Sequence, residues 1–290
     1  MANIKDLKKR IKSTKGTYKI TSAMKLVSAA KLAKAQSKIQ GFRPYSFELS
    51  NTVKTVSALA SEYSHEYFDV NNKNKQTLLL VVSSDKGLCG GYNSQLTKAV
   101  RKFIGEHSEL EFKVSYIGKK VRDIISEEVN SGDTHTFEKL DPTYDEVKDI
   151  AEDMASLFSL GEYGRVFVAY NSFQSAIAFE SKVTQFLPMS VPESEKVELK
   201  EKFPYDFKYD PSADSILDSL VPEVLNTTLF TYVLDAIASE HGSRMSAMEN
   251  ASKNCKDMIK KLTLKMNKLR QAAITTELIE VVSGAESLKS

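Results

Sequence analysis

Met245, Met248, Ser252, Cys255, Ile259, Leu262, Met266, Leu269, Ala273 and Thr276 follow one another at alternating steps of three and four. A repeat of 3.5 residues keeps one face of a helix against a partner, so this pattern is the seam of a left-handed coiled coil. From Glu223 to Ser283 there is no proline, and Gly242 is the only glycine. An uninterrupted helix over that stretch is roughly 90 Å long at 1.5 Å per residue. A chain of 290 residues cannot hold such a rod inside a compact domain, so the helix is expected to project and to need a partner.

The partner lies at the other end of the chain. Ile4, Leu7, Ile11, Thr14 and Tyr18 repeat the same steps, and the register is then expected to shift to Ile20, Met24 and Val27. The run Ser22–Lys31 is rich in alanine and serine, and small side chains let two helix backbones approach closely. Two long terminal helices around a globular middle read most simply as an antiparallel hairpin whose loop has grown into a domain. Two amphipathic helices wrapped onto a globular core are the plainer alternative.

Charge is divided unevenly. Residues 1–43 carry 12 Lys+Arg against one acid, and residues 241–290 carry 9 against 5. The remaining residues hold 19 basic and 32 acidic side chains, so a basic rod is attached to an acidic domain. A nucleic-acid-binding basic coiled coil is one reading, although no arginine-rich base-reading cluster occurs. A solvated lysine face is another, and an acidic protein cavity around the rod is a third. No run of 18 apolar residues is present, so no membrane span is expected. The N-terminus lacks the apolar core of a signal peptide. Cys89 and Cys255 give neither a disulfide framework nor metal-ligand spacing.

The middle reads as α/β. Thr77–Ser83 is a continuous apolar run, as in a strand buried on both faces. A helix is expected through Leu96–Ile104, a strand at Phe112–Ile117, a helix near Val121–Glu128 and a third strand at Thr134–Leu140. A helix over Asp145–Leu160, a strand at Arg165–Tyr170 and an alternating edge strand at Ala176–Phe186 complete the pattern. This order implies a largely parallel, Rossmann-like sheet inserted between the coiled-coil helices. The expected division is an N-terminal helix over 1–60, the α/β domain over 75–190, a connection over 191–211 and the C-terminal helix over 212–290. Pro222 is expected to break a short helix from the long one.

Between the first strand and its helix lies Asp85-Lys86-Gly87-Leu88-Cys89-Gly90-Gly91. Glycines there can cradle phosphate on backbone N–H groups. The order G-x-x-G-G fits neither of the common phosphate-binding fingerprints, and a tight structural turn is the better reading. Ser84, Asp85 and His107 form no convincing triad, and no nucleophile elbow occurs. No catalytic residue, metal site or cofactor is expected of the chain itself.

Four segments together resemble a known family. Ile20–Val27 is similar to the N-terminal signature of the gamma subunits of F-type ATP synthases, and Ser84–Gly91 to their internal motif. Met245–Ser252 and Arg270–Leu278, followed by Val282–Ala285, resemble their C-terminal helix. The motifs stand in the family's order and span essentially the whole chain.

The resemblance implies a central rotor subunit of the proton-transporting enzyme. Its terminal helices would form a shaft inside a ring of alpha and beta subunits. Its Rossmann-like domain would bind the epsilon subunit and the membrane c-ring, and rotation would serve ATP synthesis and hydrogen ion transport. It further implies a peripheral place on the cytoplasmic face of a bacterial plasma membrane. By the same resemblance Met24 and Lys25 meet acidic beta-subunit loops, while Arg244, Arg270, Gln271 and Thr275 touch the ring or govern coupling. Tyr205 and Tyr209, within Tyr205–Pro211, would lie near the foot on the c-ring. Ile274, Leu278, Val281 and Val282, with Ile279, are apolar on several helix faces and would be sleeved by the ring. The redox insertion of chloroplast members is not expected.

Overall fold

The computed structural model describes residues 4–59, 65–68, 74–137, 142–190, 193–203, 205, 207–210 and 212–287. The chain separates into two compact units, one made of 1–28 with 244–290 and the other of 29–243. Two helices contribute to both: α1, Ile4–Leu59, and α6, Ala213–Ser287.

The larger unit is built on a five-stranded sheet. Its strands are β1 (Gln76–Val82), β2 (Glu111–Ile117), β3 (Asn130–His135), β4 (Arg165–Ser175) and β5 (Ala178–Leu187). Their order is β3-β2-β1-β4-β5, with parallel pairing except for the antiparallel edge strand β5. Thr77 to Val82 are all buried, as a strand covered on both faces requires. Helices α2 (Tyr92–Glu106), α3 (Arg122–Ile125) and α4 (Tyr144–Ser159) connect the parallel strands. Helix α4 begins at a capping box, in which the Thr143 hydroxyl accepts from the Glu146 N–H and the Glu146 carboxylate accepts from the Thr143 N–H. Leu79, Val81, Leu96, Val100, Val114 and Tyr116 form one fully buried cluster with Val121 and Ile125. Fully burying one such side chain stabilises by about 1.5–3 kcal/mol.

Helix α6 is the central element of this unit. Between Leu220 and Ser243 none of its residues is exposed. At its start Leu217, Val221 and Val224 pack with Val53 and Val56 of α1 in a second apolar cluster. Gly242 lets α6 pass close beneath the β4–β5 hairpin, since a Cβ there would stand 2.7 Å from the Ala176 carbonyl oxygen.

Two expectations need correction, at Pro222 and at the third strand. Pro222 does not break the helix but lies inside α6. A proline in a helix costs about 3 kcal/mol, and the buried flanks at Leu217, Val221, Val224 and Leu225 supply more than that. The segment expected as the connection, 191–211, contains helix α5, Glu193–Lys202. The third strand starts and ends earlier than expected, and residues 138–140 of that expectation lie outside the described residues.

Candidate partner-binding surface on the paired helices

In the smaller unit the two helices run antiparallel. The Thr14 hydroxyl lies 3.9 Å from the Met258 sulfur, the Ser252 hydroxyl donates to Thr21 Oγ1 at 2.8 Å, and Lys25 Nζ meets Glu249 Oε1 at 2.9 Å. Positions on α6 thus fall as positions on α1 rise. The α6 seam is the one the spacing predicts: from Met245 to Ala273 each seam residue is buried or half-buried, and only Thr276 is exposed.

The expected register shift on α1 does not occur. Thr21 and Ser28 are 8 % and 3 % exposed, whereas Ile20 and Val27 are 62 % and 56 % exposed. Thr21 serves as seam because its polar atom is satisfied there: Thr21 Oγ1 accepts from Ser252 and donates to the Tyr18 carbonyl at 3.1 Å. The apolar row Ile20, Met24 and Val27, spaced four and three, is therefore turned away from the seam, with Met24 half-buried.

The remaining anticipated contact residues are distributed unevenly. Lys25 is ion-paired to Glu249 at a half-exposed position, where such a pair stabilises by less than about 1 kcal/mol. Arg270, Gln271 and Thr275 are exposed, and the Thr275 hydroxyl bonds back to the Gln271 carbonyl at 3.0 Å. Ile274, Leu278, Val281 and Val282 are exposed, as is every residue from 274 to 285. Arg244 is buried within the chain itself. In the larger unit Tyr205 is exposed, while Tyr209 packs at the rim of the cluster formed by α1 and α6. Pro211 lies outside the described residues. A basic groove of about 610 Å³ follows α1, where Lys8, Lys12, Lys15 and Lys19 line one helix face beside Ile11 and Met266. None of the four lysines has an acidic partner among the described residues.

The glycine turn of the larger unit uses its polar groups on itself. Ser84 Oγ donates to the Lys86 carbonyl at 2.9 Å and accepts from Asn93 Nδ2 at 2.8 Å, and the same amide lies 3.3 Å from the buried Cys89 sulfur. Leu88 takes φ +63° and Gly90 φ +59°, the left-handed backbone that turns the chain from β1 into α2. In doubly wound sheets, ligands bind beyond the carboxyl ends of the strands. Here Val233, Ala236, Ile237, Glu240 and His241 of α6 fill that place, and a cavity of about 50 Å³ is left. Among the described residues no helix is long and apolar enough to cross a membrane, and no group of acidic, histidine or cysteine side chains is arranged to hold a metal ion.

Sequence reading missed a polar group on the inner face of α6. Asp235 is 4 % exposed and receives Arg43 Nη2 on both carboxylate oxygens, at 2.9 and 3.0 Å, and the Ser172 hydroxyl at 3.4 Å. Burial pushes its pKa above the ordinary carboxylate value, against the opposing pull of Arg43. The available signal was a lone acid within the apolar stretch Leu229–Ala238.

Comparison with known proteins gives concordant results. The family model described as ATP synthase matches residues 3–288. A chain of Geobacter sp. (strain M21) named ATP synthase gamma chain is 40 % identical over all of both chains. Chains of the same name from Geotalea daltonii and Bdellovibrio bacteriovorus are 38 % and 36 % identical, again over full length. Among solved structures, a chain of the Euglena gracilis mitochondrial ATP synthase (OSCP/F1/c-ring) superposes with a TM-score of 0.71 at 19 % identity, covering 98 % of this chain and 94 % of that one. A chain from the central stalk and c-ring of the Tetrahymena thermophila mitochondrial enzyme gives 0.61 at 24 % identity, covering 80 % and 99 %. At those identities the two structures speak for the fold.

Proposed function

The chain belongs to the ATP synthase gamma-chain family, and on that premise we propose that it is the central rotor shaft of the proton-transporting F-type enzyme. In this role it couples c-ring rotation to changes at the nucleotide sites of the beta subunits. The observation that carries the reading is the bare end of α6. Residues 274–285 are all exposed, yet Ile274, Leu278, Ile279, Val281 and Val282 are among them. An apolar helix end continuous with a coiled coil is stable in water only when a sleeve encloses it. A ring of alpha and beta subunits is such a sleeve.

A shaft drives chemistry by favouring different conformations of the catalytic sites at different angles, a coupling free energy shared between subunits. Paired helices provide stiffness, and the row Ile20, Met24 and Val27 makes the surface unequal around the axis. The unpaired lysine row suits acidic loops on the surrounding subunits. Arg270, Gln271 and Thr275, all exposed, are the residues we assign to the ring, whereas Arg244 is buried within the chain. The epsilon subunit and the c-ring are the partners assigned to the larger unit, with Tyr205 as the most exposed candidate contact. Such a subunit is peripheral, held at the cytoplasmic face of the plasma membrane through the c-ring, and contributes no catalytic group of its own. The alternative of a basic nucleic-acid-binding coiled coil finds no support in these relatives, which are named as ATP synthase gamma chains.

Affinity purification of the tagged chain from membranes tests the assignment. Two larger nucleotide-binding chains are expected to come with it, with ATP hydrolysis coupled to proton uptake in vesicles. Recovery of the chain with nucleic acid and without those subunits would overturn it.

A further inference from the structure

The place where a doubly wound sheet binds its ligand is occupied here by α6, and the bonds that seat the helix form one stripe. Tyr232 stacks on Tyr170 of β4 with centroids 4.2 Å apart. The Ser239 hydroxyl donates to the Asn171 carbonyl of β4 at 3.0 Å, and the Ser243 hydroxyl donates to the Cys89 carbonyl in the glycine turn at 2.6 Å. With Asp235, held by Arg43 and Ser172, these positions step by three, four and four, so they share one helix face. Apolar side chains hold a helix by shape and buried area, which carry no bond directions of their own. Hydrogen bonds have fixed directions and weaken steeply when bent. The polar stripe therefore sets the angle of α6 about its own axis relative to the sheet.

We propose that the strand-end crevice is the torque grip of the subunit, and that Ser239 and Ser243 are positioning residues for rotary coupling, with Asp235 completing the stripe. This rests on the reading of the chain as a rotor shaft. Rotation delivered to the α/β unit passes on through α1 and α6, and α6 is a single unbroken helix from Ala213 to Ser287. A grip without its hydroxyls lets the helix slip under load while the catalytic ring still turns over.

The test uses the complete ATP synthase in sealed vesicles, carrying this chain as wild type, as Ser239→Ala/Ser243→Ala, or as Ser239→Thr. ATP hydrolysis and ATP-driven proton uptake are measured together, with and without an opposing proton gradient. The double variant is expected to lower protons moved per ATP by about twofold or more under the opposing gradient, while Ser239→Thr, which keeps the hydroxyl, holds the wild-type ratio. A role limited to folding would reduce hydrolysis and uptake in proportion and leave the ratio unchanged, and that result overturns the proposal. Should the double variant not assemble, Ser239→Ala alone carries the same comparison with the same two outcomes. Uncoupled turnover with the wild-type chain would instead count against the rotor assignment itself.

Discussion

Asp235 shows how one buried residue can report on its surroundings. Its folded pKa is raised because burial disfavours the carboxylate more than Arg43 and Ser172 favour it. The folded chain therefore binds a proton that the unfolded chain releases in the window between the unfolded value of about 3.9 and the raised folded value. Within that window stability from this group grows as pH falls, and it is lost as pH rises through the folded value. Asp235→Asn removes the titration but keeps an acceptor for Arg43. Urea unfolding of wild type and variant at pH 7 and near pH 4.5 should show the wild type gaining relative to the variant at the lower pH. A difference that is flat, or that shrinks on acidification, would contradict the direction of the shift. At this scale the sequence was only partly legible. Met24 and Lys25 stand out from their neighbours by motif, but a single aspartate in an apolar run carries no sign of which distant arginine it meets.

At the scale of elements, legibility followed how strongly a pattern constrains packing. The α6 seam was readable because alternating steps of three and four admit one geometry, and β1 because six consecutive buried residues fit only a covered strand. The register of α1 was misread because Ile20, Met24 and Val27 look like core, while the true seam there uses Thr21 and Ser28. Pro222 was misread because local propensity yields to burial. The small-residue seam has a consequence. Ser252 is 9 % exposed and bonded to Thr21, so Ser252→Leu both overpacks the helix pair and removes that bond. A loss of about 1–3 kcal/mol should lower the helical melting transition of the paired segment, with the near-ultraviolet signal of the sheet-containing unit unchanged. Deleting Thr275–Ser290 should do the reverse. Its described residues up to 285 are all exposed, so thermal unfolding of the isolated chain should change by no more than about 0.5 kcal/mol. Reconstitution with alpha and beta subunits should be weakened, and unfolding of the sheet-containing unit by the deletion would refute the sleeve.

Considered whole, the molecule gives one helix two opposite environments: no residue of α6 is exposed from 220 to 243, and none is sheltered from 274 to 285. The first environment accounts for the fate of the Rossmann-like crevice. A nucleotide seated beyond the carboxyl ends of β1 and β2 would have to displace Val233, Ala236 and Ile237, because the space left beside them is about 50 Å³. Val233 and Leu234 are 1 % and 2 % exposed, and withdrawing each from the core costs about 1.5–3 kcal/mol. The hydroxyl bonds of Ser239 and Ser243 would be lost as well. Millimolar affinity corresponds to only about 4 kcal/mol, so ordinary phosphate contacts would not offset that displacement. The glycine turn offers little in return, since Ser84 and Asn93 are committed to each other. The purified chain, free of other subunits, is therefore expected to show no saturable ATP binding by calorimetry below millimolar concentration and no hydrolysis. Saturable micromolar binding that survives removal of every partner subunit, and that Lys86→Ala abolishes, would mean that α6 leaves the crevice. The larger unit would then have to be read as a nucleotide-binding domain in its own right.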